Sequence, residues 1–287
     1  MMAEIRTQAL VLRTFDHGES DRLVHLFTER CGRVSAIAKG AKRSRRRFPG
    51  TLEILTLADV RLVDPPRASL MRLESARQVK PFDGFVNDLG RFAIGCQLLE
   101  LLDRFTGERE AHAELFRFAR GALGVLRDEP PDRLLALLLR AKTLAWMGYR
   151  PQLLECAQCG TVLGRGAQVG FEPRQGGAVC ADCAELPEVW VSAALLAALE
   201  RGIRSPLRAR GDLALTPAHV GLATRLLDRF FVFHVGLELR SAPFLDWALA
   251  RSARDAELDA PTPPGDTSRQ PSECVQIRVT EAPGSVR

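Results

Sequence analysis

Four cysteines carry the clearest chemistry in the chain. Cys156 and Cys159 form one C-x-x-C pair, "CAQC", and Cys180 and Cys183 form a second, "CADC", 20 residues further on. Two residues between ligands let one tight turn aim both sulfurs at a single ion. Two such turns make a tetrahedral four-thiolate site of the kind that binds zinc. Four protein ligands leave no open coordination position, so the expected cofactor is one structural Zn2+ per chain. The competing readings are two disulfides or four unrelated thiols, and the doubled spacing disfavours both. Gly160 directly follows the first pair and suits such a turn. The intervening glycine-rich segment resembles a zinc ribbon or knuckle, in which the metal supplies the core that so few residues cannot. Cys31, Cys96 and Cys274 have no partner pattern, and Cys96 reads as core filling.

A second constellation is electrostatic. The stretch "KGAKRSRRRF" holds Lys39, Lys42, Arg43, Arg45, Arg46 and Arg47. Residues 1–80 carry 16 Lys/Arg against 9 Asp/Glu, a charge of +7, whereas residues 81–287 carry 24 against 26, a charge of −2. A basic excess confined to one region points to a polyanionic partner. The run itself has three readings: a disordered arm, a solvated face, or a phosphate-binding loop held by a fold. Phe15 and Phe48 flank turns nearby and could stack on bases, whereas Phe27 reads as core.

Other chemistry is sparse. No G-x-x-x-x-G-K-[ST], H-E-x-x-H or G-x-S-x-G occurs, and the five histidines are dispersed. "DHGESD" (16–21) sets His17 among three carboxylates. It could be catalytic or metal-binding, but a turn between strands is the plainer reading. His234 reads as a core or interface histidine. Catalysis is not expected.

The elements that must position these groups come in three textures. Segments 7–14, 22–28, 33–39, 53–63 and 70–79 read as five strands, with Ile54, Thr56, Ala58, Val60 and Leu62 on one side of the fourth. Ala9 to Leu12 have no polar face, as expected inside a small closed barrel. Five strands in this length suit an OB-type or an SH3-like barrel, and pattern alone does not separate them. From 84 to 147 the spacing is helical. Phe85, Leu89, Phe92, Cys96 and Leu99 make one stripe, and Leu115, Ala119, Ala122 and Leu126 a second. A third helix starts at Asp132 and stops at Gly148. The cysteine module follows, and helical pattern returns at 192–203 and 217–240. Beyond Asp255 the chain is polar and Pro-rich and is expected to be disordered. With 46% hydrophobic and 26% charged residues the composition is that of a globular protein. No apolar run reaches the roughly 20 residues of a membrane helix, and no secretory signal is read, so the expected compartment is the cytoplasm.

The chain resembles the RecO family of bacterial recombination mediators. The resemblance is carried by "ALVLRTFDHGESDRLVHLFTERCGRVSAIAKGAKR" (9–43), by "LAWMGYRPQLLECAQCG" (144–160) and by "FHVGLELRSAPFL" (233–245), spanning about residues 5–247. It implies binding of single- and double-stranded DNA and annealing of complementary strands. It also implies action with the partner RecR to load RecA onto DNA coated by single-strand-binding protein, whose acidic C-terminal tail docks on the helical domain. By this resemblance Lys39, Lys42 and Arg43 match basic positions of the DNA-binding barrel. Arg45, Arg46 and Arg47 join them on charge alone, as a tip that could be mobile until DNA is bound. Arg140 and Lys142 are candidates for the acidic tail. The expected fold class is α+β: an N-terminal five-stranded OB-fold barrel (1–80), then an all-helical domain (81–254) with the zinc module inserted at about 152–187, then the tail (255–287). The alternative is a zinc-ribbon regulatory factor that binds nucleic acid without annealing it.

Overall fold

The computed structural model describes residues 3–65, 69–79, 85, 87–185, 187, 189–236 and 238–258. Five strands open the chain: β1 (Ala3–His17), β2 (Asp21–Thr28), β3 (Gly32–Ala38), β4 (Leu57–Asp64) and β5 (Met71–Gln78). They close into a barrel in the order β1-β2-β3-β5-β4, with β4 returning to β1. All pairings are antiparallel except β3 with β5. This is a five-stranded OB-type barrel. Its interior is small: Ala9, Ala36, Ala38, Ala58 and Ala76 share it with Val11, Val24, Leu26, Leu62 and Leu73. Alanines at so many inward positions let five strands close without a void.

The apolar character of β1 has a different cause from the expected one. Ala9 and Val11 point into the barrel, but Leu10 and Leu12 point outward into a second core shared with the helices. Phe27 on β2 joins them there, tilted against Phe116 at 5.9 Å between ring centroids. A closed barrel alone would leave that outer face wet. The fourth strand also starts later than its pattern implied. Ala58, Val60 and Leu62 do face inward, but Ile54 and Thr56 precede the strand. Leu55 sits at a φ of 66° and turns the chain so that its side chain enters the helical core. A Cβ on Gly95 would lie 2.8 Å from Leu55, so only glycine admits that approach.

Six helices follow. They are α1 (Leu89–Phe105), α2 (Ala113–Asp128), α3 (Arg133–Trp146), α4 (Ala193–Arg204), α5 (Pro217–Val235) and α6 (Ala242–Leu258). Asp88, Asp132, Ser192 and Thr216 cap α1, α3, α4 and α5 with side-chain oxygens. The stripe of α2 is buried as read: Leu115, Ala119, Ala122 and Leu126. That of α1 holds in part. Phe85 and Leu99 are buried and Phe92 and Cys96 half-buried, but Leu89 is exposed, and Ala93, Ile94, Leu98, Leu101 and Leu102 are buried off the stripe. The reason is position: α1 packs against β1, β2, α2, α3 and α6, so no single face defines it. Helix α6 lies beyond the last segment read as helical, which ended at residue 240. It continues through Leu258, into the stretch expected to be tail; residues 259–287, with Cys274, lie outside the described residues.

Two polar devices join the parts. Asp103 on α1 has a nearly buried carboxylate facing Arg13 at 2.6 Å, His25 at 3.6 Å and Arg33 at 3.8 Å, all from the barrel. Beside it the Gly32 backbone lies so close to Glu110 that a Cβ would fall 1.7 Å from the Glu110 carbonyl oxygen. One turn earlier on α1, buried Glu100 accepts the backbone N–H groups of Arg240 and Ser241, each at 2.8 Å, just before α6. It also pairs with Arg104 at 3.2 Å. Burial alone would raise the Glu100 pKa. The hydrogen bonds from Ser241 and Arg240 and the charge of Arg104 outweigh it and hold the carboxyl below its ordinary value.

A carboxylate with a lowered native pKa stabilises the fold above its unfolded pKa, about 4.3 for Glu, and loses that contribution as pH falls from there through the native value. Glu100→Ala leaves two N–H groups without their acceptor and is expected to cost about 1–3 kcal/mol at neutral pH. Glu100→Gln is expected to flatten the acid limb of the stability profile. Urea unfolding at several pH values from 7 down to about 3 checks both.

Candidate nucleic-acid interface and metal centre

The basic stretch is a folded loop between β3 and β4. Its chain is closed by successive backbone bonds: Ala41 N–H to Ala38 O at 3.3 Å, Ser44 N–H to Gly40 O at 3.1 Å and Phe48 N–H to Ser44 O at 3.2 Å. Phe48 is buried in the barrel core with Leu52, so it anchors the loop and is not a free stacking ring. Its position after a polar run hid this. Arg47 lies over the Phe48 ring at 5.2 Å and donates to Lys39 O at 2.7 Å. Arg47 is therefore tied into the loop's frame, which departs from the reading of a mobile tip. Arg43, Arg45 and Arg46 are exposed and make no ion pair among the described residues. Phe15 is about half exposed, with its ring edge-on to His25 at 5.6 Å.

"DHGESD" is the turn between β1 and β2, and it holds this loop. The Asp21 carboxylate accepts the Gly40 N–H at 2.7 Å. Lys42 donates its backbone N–H to Ser20 O at 3.0 Å and its ammonium to Gly18 O at 3.0 Å, and pairs with Asp16 at 3.1 Å. The Gly40 N–H, with the Ser20 hydroxyl, draws the Asp21 pKa below the ordinary carboxylate value. The sequence indicated the turn between strands, but not that its acids hold the basic loop. Their signal was adjacency: an acidic turn and a basic run at the ends of paired strands.

The four cysteines come together as spaced. One sulfur from each of Cys156, Cys159, Cys180 and Cys183 lies within 4.8 Å of all the others, and Cys159 Sγ stands 3.8 Å from Cys180 Sγ. Tetrahedral zinc with bonds near 2.3 Å sets its sulfurs about 3.8 Å apart. Each pair sits on a tight turn, Gly160 N–H to Cys156 O at 2.8 Å and Ala184 N–H to Cys180 O at 3.0 Å. The turns are carried by a small sheet in the order β7-β6-β8, with β6 at Gln168–Glu172, β7 at Gly177–Val179 and β8 at Trp190–Ser192. Burial would raise the Cys156 thiol, but N–H groups of Cys180, Cys159 and Gln158 bring it down to about 6. Cys183 is pushed up by its hydrogen bonds to Cys180 and Cys159. Thiols this crowded share protons unless a cation replaces them. The donor set therefore fits a metal ion. Cys96 is apart on α1, its thiol raised to about 11 by burial and by Glu100, as suits an inert core cysteine.

Comparison with known proteins gives the assembly its family. Residues 2–82 match the model for the N terminal of recombination protein O, and residues 86–243 match the model for its C terminal. The chain belongs to the RecO family. It is 36% identical over 247 residues to the DNA repair protein RecO of Anaeromyxobacter sp. (strain K), covering 85% of this chain and 97% of that one. It is 36% identical over 244 residues to RecO of Myxococcus xanthus, covering 83% and 95%. It is 34% identical over 255 residues to RecO of Nocardioides sp., covering 84% and 98%.

Within this RecO-family chain, Arg140 and Lys142 go to different places. Arg140 is buried, ion-paired with Asp228 and set over the Phe231 ring at 5.7 Å. It lines a small cavity with Arg133, Leu137, Leu245 and Leu249. Lys142 turns inward instead. Its ammonium donates to the carbonyls of Ile203 and Ser205, each at 2.6 Å, at the end of α4. Burial lowers its pKa, and it has no face to offer a partner. His234 is exposed and reaches Pro173 O at 3.0 Å, tying α5 to the cysteine module. Among the described residues no helix is long and apolar enough to cross a membrane.

Removing the turn's anchor is expected to loosen the loop without unfolding the barrel. In Asp21→Ala, trypsin should cut between Lys39 and Arg47 several-fold faster than in the parent chain, with the far-ultraviolet circular dichroism unchanged. Equal cleavage rates would show that the acid turn does not order the loop.

Proposed function

We propose that this RecO-family chain is a cytoplasmic, non-catalytic recombination mediator in DNA repair. It binds single- and double-stranded DNA and anneals complementary strands. It acts with RecR in loading RecA onto DNA covered by single-strand-binding protein. The observation that carries this reading is the anchored loop on the OB-type barrel, which presents Arg43, Arg45 and Arg46 to solvent. Arginines offer phosphates paired donors, and each contact releases counterions. Lys39, Lys42 and Arg47 belong to the same phosphate-binding loop; the last two also build its frame. Annealing then needs only that two strands lose their mutual repulsion while their bases stay free to pair. No group has to break a bond, and no nucleotide has to be hydrolysed.

The metal is zinc, one ion per chain, held by Cys156, Cys159, Cys180 and Cys183. Its role is structural: it fixes the two turns of a module too small to make a core. For the acidic tail of single-strand-binding protein, the candidate is the cavity beside Arg140 on the helical domain, with Leu137, Leu245 and Leu249 as apolar walls; the tail's carboxylates would have to replace Asp228 on Arg140 and Asp246 on Arg133.

Three measurements test this. Complementary oligonucleotides should anneal faster with the protein and without ATP; no acceleration would overturn the mediator reading and favour a regulatory factor. Replacing Arg43, Arg45 and Arg46 by Ala should lower the slope of log affinity against log salt for single strands by about 2, at about 0.7 per contact. Purified protein should carry about one zinc per chain. Cys180→Ser should release it and expose the 152–187 module to protease, while the barrel stays folded.

A further inference from the structure

A second cationic surface lies between the barrel and α2. Gln8, Arg117, Arg120, Gly121, Gly124 and Arg127 line a cleft of about 380 Å³ there. The three arginines are exposed. They fall on one stripe of α2, and the span from Arg117 to Arg127 is about 15 Å at the helical rise. Among the described residues Arg120 donates only to the Gln8 side-chain oxygen, at 3.1 Å. Arg117 pairs with Glu114, and Arg127 with Asp128 at 2.7 Å. Exposed pairs of this kind are weak and exchange readily for a better anion. Asp128 would not be left unpaired, because Arg208 holds it at 2.6 Å as well.

The floor of the cleft is bare. A Cβ added to Gly121 or Gly124 would meet nothing within 4 Å. Glycine in mid-helix weakens a helix relative to alanine, and no packing within the described chain requires it here. The cleft also joins the basic loop. Strand register sets Arg77, Asp59 and Gln8 side by side across β5, β4 and β1. The loop meets β5 next to Arg77, where Ala76 N–H donates to Arg47 O at 3.0 Å. Three strand spacings, about 15 Å, separate loop from cleft. Asp59 lies on this path, but it is already engaged by Arg77 at 3.5 Å and Gln8 at 3.3 Å.

We propose that the cleft of Arg117, Arg120 and Arg127 is a second site for the phosphate backbone of a nucleic acid strand, continuous with the basic loop across the outer face of β5, β4 and β1. It rests on the reading of the chain as a DNA-binding protein and places half of the contact on the helical domain. The bare glycines let the backbone approach the helix closely, and the arginines flank it.

The test uses full-length protein, a fluorescent oligothymidine and a salt series between about 0.05 and 0.3 M. R117A/R120A/R127A is expected to lower the salt slope by about 2 and the affinity roughly 50-fold near 0.15 M salt, from three contacts at about 0.7 each. G121Q/G124Q keeps the net charge and fills the floor with side chains whose first carbon meets nothing within 4 Å. It is expected to weaken binding about tenfold, since removing strand contacts lowers affinity at unchanged protein charge. Circular dichroism and thermal melts report folding of each variant. If both variants fold and bind with the parent's slope and affinity while the loop variant loses slope, the cleft is no strand site and the DNA-binding reading stands. If the parent itself binds no oligonucleotide, both fall together.

Discussion

One wall of the molecule is buried on both sides, and the rest is arranged around it. β1 and β2 present Ala9, Val11, Val24 and Leu26 to the barrel interior and Leu10, Leu12 and Phe27 to the helices. At the edge of this double-sided wall the Asp103 carboxylate meets Arg13, His25 and Arg33. A nearly buried carboxylate is tolerable only among cations and donors. The cluster therefore fixes how α1 sits on the barrel: sliding α1 by one turn would strand the charge. Apolar contact holds the two parts together, and the carboxylate sets their alignment.

On the proposed function, the way the basic loop is held bears on how a polyanion would be gripped. The basic loop is hung from the β1–β2 turn by Asp16 and Asp21 and plugged into the barrel by Phe48. Cations on a held loop lose less freedom on binding than cations on a free arm. The cost is that Lys42 and Arg47 spend part of their hydrogen-bonding capacity on the frame. Division of labour follows: Lys42 and Arg47 position, and Arg43, Arg45 and Arg46 face outward.

Much of this was legible in the sequence because it depends on local spacing. Both C-x-x-C turns, the Asp132 cap, the α2 stripe and the five strand segments needed only neighbours in the chain. What was not legible depends on distant partners. The α1 stripe was legible only in part, with Leu89 exposed, because α1 is covered from several directions, which no single periodicity encodes. Phe48 follows a charge run, and only the closed barrel makes room for its ring. Lys142 looked available because nothing in its surroundings along the chain indicates that the end of α4 lies above it. Helix α6 was not read because the partner that buries its Leu245, Ala248 and Leu249 is α1, some 140 residues away in the chain.

The Glu100 contact has a kinetic meaning. It joins positions 140 residues apart along the chain, and α1 packs more extensively on α6 than on any other helix. During synthesis α1 emerges long before α6, at rates of about 5–20 residues per second. For some ten seconds or more its α6-facing side, with Glu100 unpaired, has no cover. The barrel needs no residue beyond Gln78 to close its strands, so it can fold first. The helical domain is a late and non-local closure, the kind that folds slowly. Until α6 arrives, the side of α1 that it covers stays open, so the last helix completes the cover over Glu100.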